Sequence, residues 1–208
     1  LFRENWVNPG YGQGSVYPGC WYDFLYGDIH LILLDGRYYR TPERAKTDEM
    51  PTMLGPVQRQ WLLQTLKRSP ARIKLLASPV PWIGGNRDKW NGFAVERQQI
   101  FDQIAAEKIE GVVLLSADRH RSDLLVTSRP QEYDLYEFMS SRLTNHHRHA
   151  EIDEREGALF SYNKNCSFGL VTIDTRPDDP CILYCIISID GETIFTFRLS
   201  GSQLRSAR

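Results

Sequence analysis

Cysteine is scarce in this chain of 208 residues. Only Cys20, Cys166, Cys181 and Cys185 occur, and none stands at a zinc-site interval from another. Cys181 and Cys185 fall at i and i+4 on one face of an expected strand. At ~3.3 Å per residue their Cα atoms lie ~13 Å apart, too far for a disulfide. All four read as buried thiols, which leaves the redox compartment open. No run approaches the ~18 apolar residues of a membrane span, and Leu1–Asn8 mixes charge with aromatics, unlike a secretion signal. Charge of one sign is lacking too. The 25 Lys and Arg residues balance 26 Asp and Glu, a formal net charge of −1, which excludes a broad nucleic-acid surface but leaves room for a local arginine cluster. Repeats, low-complexity tracts and evident linkers are missing. So is any Gly-x-Ser-x-Gly elbow, which removes Ser78 as a hydrolase nucleophile.

What remains is an ordinary globular composition, 41% apolar and 25% charged, enough for one sizeable domain. Asn8–Gly19 is a Gly- and Pro-rich loop. Trp21–Tyr26 and Ile29–Leu34 flank a Gly27-Asp28 turn and predict a hairpin whose second strand, apolar on both faces except His30, lies centrally in a sheet. The polar stretch Arg37–Thr52 is a surface loop. A helix follows from Gly55-Pro56 to Ser69-Pro70, with Val57, Trp61, Leu62 and Leu66 inward. Ile73–Ala77 is a buried strand. A second helix spans about Ala94 to Lys108 with Ile100, Phe101, Ile104 and Ala105 inward. The alternation predicts an α/β layout with ligands at the carboxyl ends of the strands. After His120 the pattern changes to strands alone, at Leu124–Thr127, Tyr133–Met139, Leu170–Ile173, Ile182–Ile189 and Thr193–Leu199, which predicts an antiparallel tail.

The most informative run is Val112-Val113-Leu114-Leu115-Ser116-Ala117-Asp118-Arg119-His120, a buried strand that stops in Asp-x-His. A strand end fixes the backbone, so Asp118 and His120 are candidate metal ligands. Asp35 with Arg37, and Ser78 with Trp82, stand at two further strand ends expected on the same edge. Asp35 and Arg37 are candidate catalytic residues, Arg37 as a bidentate phosphate clamp, and Trp90 a candidate substrate contact. Each has a plainer reading. Asp35 accepts hydrogen bonds from the following turn, Arg37 pairs with Glu43 or Asp48, and Trp90 packs beneath the pocket. Arg119, on a continuing strand, is expected to point away from its neighbours. His146-His147-Arg148-His149 reads as an exposed loop rather than a metal site. His30 reads as a hydrogen-bonded core residue unless it faces the edge that carries His120.

Five segments in order carry a resemblance: Leu34-Asp35-Gly36-Arg37-Tyr38-Tyr39-Arg40; Met53-Leu54-Gly55 with Gln58, Trp61 and Leu62; Trp90-Asn91-Gly92-Phe93 with Glu96-Arg97; Ser116-Ala117-Asp118-Arg119-His120; and Leu135–Ser141 with Phe168–Val171. Together they resemble the alkaline phosphatase D (PhoD-like) family of the calcineurin-like metallophosphoesterase superfamily. Ala117 stands where the family has Gly, at little cost if its φ stays negative. The resemblance implies a four-layer α/β/β/α sandwich of mixed sheets with an antiparallel C-terminal tail, of which residues 1–208 are expected to be the C-terminal part. The family's Asp-Asp-His motif and its other metal ligands are not in the sequence. It further implies a metal-dependent phosphomonoesterase or phosphodiesterase using metal-activated water, with calcium and iron, or zinc or manganese in their place. The substrate would be a small phosphate ester of nucleotide or phospholipid type. The competing reading is a non-catalytic module that keeps the fold for binding or assembly, pairing with the missing half or with another copy.

Overall fold

A computed structural model describes residues 2–42, 50–144, 147, 150 and 157–206. After a short helix α1 (Phe2–Asn5), the hairpin forms as expected. Strand β1 (Tyr22–Tyr26) pairs antiparallel with β2 (Ile29–Leu33), and Gly27 takes the left-handed φ of 56° that the turn requires. Helix α2 (Gly55–Arg68), strand β3 (Ile73–Ala77), helix α3 (Ala94–Ala106) and strand β4 (Val112–Ser116) follow. The inward stripe of α2 differs from the expected one. Gln58, Leu62 and Leu66 are fully buried, whereas Val57 and Trp61 are only half-buried. A buried glutamine there has a reason given below. Helix α3 stops at Ala106 rather than Lys108, which is at φ 50° and turns the chain toward Gly111.

The remaining strands are β5 (Ser122–Thr127), β6 (Leu135–Ser140), β7 (Ala158–Tyr162), β8 (Ser167–Asp174), β9 (Cys181–Ser188) and β10 (Thr193–Ser200). Among the described residues they build a seven-stranded sheet, β1-β2-β3-β4-β6-β5-β7, and a three-stranded sheet, β10-β9-β8. The three-stranded sheet is antiparallel, with Gly191 at φ 83° in the β9–β10 turn. Strand β6 departs from an all-antiparallel tail. It inserts between β4 and β5, parallel to the first and antiparallel to the second. Strand β7, antiparallel to β5, was not anticipated.

Both β-α-β crossovers step the same way along the large sheet, so α2 and α3 lie together on one face. The small sheet covers the other through aromatic pairs: Phe138 stacks on Tyr184 at 4.4 Å, Phe160 on Phe195 at 4.1 Å, and Tyr136 meets Phe197 at 5.5 Å. Helices, mixed sheet and antiparallel sheet are therefore layered around one core. No helix among the described residues is long and apolar enough to cross a membrane. None of the four cysteines forms a disulfide there, and only Cys166 is buried; the other three are half-exposed. His30 is buried at the amino end of β2, hydrogen-bonded to Ser69 Oγ and Asp23 Oδ2 at 2.8 Å each. That is the core role, at the end of the strand remote from His120.

Candidate functional site

Parallel strands β2, β3, β4 and β6 end on one edge, and the segments that leave them bring Asp35–Arg40, Ser78–Phe93, Ala117–His120 and Ser141 together. Strand β4 ends at Ser116. Beyond it Asp118 and His120 both adopt left-handed backbone, φ 76° and φ 49°, while Ala117 keeps a negative φ. Two such residues cost of order 1–3 kcal/mol each, and their neighbours hold them there. The Ser141 hydroxyl accepts hydrogen bonds from the amides of Arg119 (3.0 Å) and His120 (2.8 Å). Because the chain has left the sheet, strand alternation no longer governs Arg119. Its guanidinium comes against Gly85, where an added Cβ would lie 2.6 Å from Nη1.

The charged side chains form a connected cluster. Asp88 Oδ1 accepts from Arg40 Nη2 (2.6 Å) and Arg37 Nη1 (3.3 Å), and Asp88 Oδ2 accepts from Lys89 Nζ (3.2 Å). Lys89 also forms an ion pair with Asp118. Arg40 Nη1 donates to the Asp88 carbonyl at 3.1 Å, and its guanidinium lies 5.7 Å from the Phe93 ring centroid. Burial pushes the Asp88 carboxyl up, but hydrogen bonds from Arg40, Lys89 and Arg37 outweigh that and bring it to about 2. Arg37, Arg40 and Lys89 outnumber Asp88 and Asp118, and Arg119 stands beside them. The edge is therefore cationic and suits a phosphate or similar oxyanion.

The expected site residues are placed as follows. Arg37 is in the cluster and exposed, paired with Asp88; Glu43 and Asp48, its expected partners, lie outside the described residues. Asp35 is buried, and its carboxylate accepts the amides of Arg37 (2.8 Å), Tyr38 (2.9 Å) and Cys20 (2.9 Å). It organises the turn that carries Arg37, which matches its plainer reading. Gln58 explains its burial here. Its amide exchanges two 2.8 Å hydrogen bonds with the Asp35 backbone.

Trp90 has no exposed surface, as its plainer packing reading expects. It stacks on Trp82 at 4.3 Å, and its Nε1 donates to Ser78 Oγ at 3.0 Å. Asp118 points to Lys89, whereas the His120 ring meets the edge of His147 at 5.3 Å. His146, Arg148 and His149 lie outside the described residues.

Sequence reasoning missed four contributors. Arg40 closes the first quoted segment without a role assigned to it, and Asp88 and Lys89 immediately precede Trp90, where the signal was charge density. Glu137 stands inside β6, within the quoted Leu135–Ser141 segment, with no role read for it. It is fully buried, and its carboxylate accepts the amides of Trp82 and Ile83, 3.0 Å each, and the Ser116 hydroxyl. A lone Glu between apolar residues of a strand was the available clue.

Comparison with known proteins bears on the family and the fold. Residues 14–179 match the PhoD-like phosphatase family. The chain belongs to that family. Alkaline phosphatase D of Bacillus subtilis (strain 168) is 28% identical over 120 residues, 48% of this chain and 21% of that protein. A solved structure of PhoD superposes with a TM-score of 0.66 at 21% identity, covering 88% of this chain and 41% of that one, and so bears on the fold. The chain thus spans well under half the length of these PhoD-like relatives.

A metal is implied by the family, and the donor set tests it. Among the described residues no group of three or more His, Cys, Asp or Glu side chains is placed to hold an ion. Asp118 already faces a cation, the Lys89 ammonium. Two protein ligands fall short of the three or more of a catalytic site. The described residues alone do not fit a metal.

Proposed function

We propose that this chain is the anion-holding part of a PhoD-like phosphoric ester hydrolase and is not, alone, its metal-loaded catalyst. The observation behind this is the cluster of Arg37, Arg40 and Lys89, gathered at one strand edge around Asp88 and Asp118. In this reading the guanidinium of Arg40, nearly buried and flanked by Arg37, forks onto non-bridging phosphate oxygens. Lys89 supplies a point charge, and Asp35 acts by holding the amide of Arg37 rather than by touching the substrate. The ligand is a phosphate ester; monoester and diester, nucleotide and phospholipid headgroups all present the same oxygens. Asp118 and His120 contribute to a calcium-, iron-, zinc- or manganese-containing centre only when further donors join them, so hydrolysis belongs to the longer assembly. That assembly is completed by the family's other half or by a second copy of the chain.

Calorimetric titration with inorganic phosphate tests the anion patch. Binding is expected in the parent chain and lost by about tenfold or more in R40Q and K89Q. A chromogenic phosphate ester, offered with and without calcium and iron, tests the non-catalytic half of the proposal. No turnover is expected. Metal-dependent turnover by this chain that disappears in D118N and H120A would replace it with the hydrolase reading.

A further inference from the structure

We propose that Glu137 is the positioning residue of the anion patch: by gripping the amides of Trp82 and Ile83 it seats the loop that carries Asp88 and Lys89. The inference rests on the patch described above and adds what holds it in place. Glu137 sits mid-strand in β6, level with Leu114 of β4 and Leu125 of β5, with its carboxylate on the helix-side face. Two successive amides reach separate oxygens, Trp82 N to Oε1 and Ile83 N to Oε2, while Ser116 Oγ also meets Oε1. A carboxylate takes both amides at once. A glutamine takes one, because its other head atom is itself a donor.

The grip reaches Lys89 through the loop's own contacts. Arg97 of α3 donates to the Trp82 carbonyl (2.5 Å) and to Asn91 Oδ1 (3.1 Å), so the Trp82 peptide is held from both sides. Asn91 Nδ2 donates to the Gly85 carbonyl at 2.9 Å, and Lys89 N to the Asn86 carbonyl at 3.1 Å. The Trp82–Trp90 stack places the residue after Lys89 on the gripped one. Gly92 packs so closely that a Cβ would lie 1.9 Å from the Arg87 carbonyl oxygen. The loop therefore moves as a unit.

The charged and titratable groups that act on Glu137 are Arg97 from α3, Asp123 from β5, the latter ion-paired with Arg121, and the Tyr184 phenol from β9. Burial pushes the Glu137 carboxyl up to about 7, against the hydrogen bonds from Ser116, Trp82 and Ile83 that lower it. Releasing the loop to water would restore an ordinary carboxyl. The carboxylate still accepts both amides, but the cost of burying its charge exceeds what they return, so the seated loop weakens as pH rises from 4.5 to about 7 and changes no further above that.

Amide hydrogen exchange at Trp82 and Ile83, together with titration by sulfate (an oxyanion that does not titrate near neutrality), separates the possibilities. In E137A both amides are expected to exchange about tenfold faster or more, and sulfate affinity to fall by a similar factor. In the wild type, exchange corrected for its intrinsic pH dependence accelerates, and sulfate affinity falls, as pH rises from 4.5 to about 7, and both level off above that. E137Q is expected to partly rescue protection and to show no such pH step. S116A, which keeps the carboxyl but removes a donor to its charged form, moves the midpoint upward; it tests the idea even if E137A does not fold. Unchanged protection of Trp82 and Ile83 in folded E137A, or a pH response that persists in E137Q, would overturn it. Loss of sulfate binding in the wild type with the pH-dependent exchange intact would instead strike at the anion patch and leave the seating role supported.

Discussion

At the scale of single residues, the candidate site depends on where charge is neutralised. Asp88 accepts from three cations and is held near a pKa of about 2. Its folded value lies below the ordinary 3.8, so its contribution to stability is complete above 3.8 and is lost as pH falls toward about 2. Acid unfolding followed by circular dichroism should show this, and D88N should lose that part of the acid transition. The same substitution releases Arg37, Arg40 and Lys89 from their shared counter-ion. Phosphate affinity in D88N is expected to rise by a few-fold at neutral pH, read by calorimetry. Glu137 works with the opposite sign. Its carboxyl is raised from 4.5 to about 7, so the folded state binds the extra proton between those values. Stability should fall as pH climbs through that window, with a slope approaching ~1.4 kcal/mol per pH unit at its steepest. Urea unfolding midpoints in the wild type should show the fall, and in E137Q the corresponding stretch should be flat.

At the scale of elements, the junction between the end of β2 and helix α2 decides whether the turn bearing Arg37 is rigid. Gln58 satisfies both the amide and the carbonyl of Asp35, and its residue is fully enclosed. Replacing it by Leu keeps apolar volume but orphans two buried backbone groups, at about 1–3 kcal/mol each. Q58L is therefore expected to destabilise the chain by about 2–5 kcal/mol in urea unfolding, more than its hydrophobicity suggests. Periodicity alone could not reveal this, since a helical stripe counts apolar positions and Gln58 is buried for hydrogen bonding. The same limit explains what else escaped. The hairpin, the two helices and the buried β4 strand were legible because each is a local pattern of apolar spacing and turn residues. The insertion of β6 between β4 and β5, and the pairing of β7 with β5, are non-local choices that no local pattern encodes. In the site, Asp35 and Arg37 were visible as a strand end, whereas Arg40, Asp88 and Lys89 became a cluster only when two loops met.

At the scale of the whole molecule, the two sheets are joined by aromatic stacking and by hydroxyl contacts, among them Ser122 Oγ of β5 with Ser167 Oγ of β8 at 2.9 Å and the Tyr184 phenol. Tyr184 of β9 has its ring against Phe138 at an interplanar angle of 4°, and its Oη donates to the carbonyl of Met139 at 3.1 Å. Burial pushes the phenol well above its ordinary pKa, so it remains a donor at any pH the fold survives. Its position matters because Phe138 and Met139 lead through Ser140 to Ser141, which caps the strained Asp118–His120 turn. Loosening the sheet interface should therefore reach the candidate site through β6. Removing only the hydroxyl, in Y184F, leaves the stack and one weakened carbonyl contact, for an expected loss of about 1 kcal/mol. Removing the ring, in Y184A, opens a cavity between the layers and should cost about 3–5 kcal/mol. Amide exchange separates the interface from the local site: Y184A should lose protection at Arg119 and His120 as well as along β6, whereas Y184F should leave those two amides protected. If Y184A loosened β9 and left Arg119 and His120 unchanged, the small sheet would be a cover for the core rather than a support for the strand-end turn.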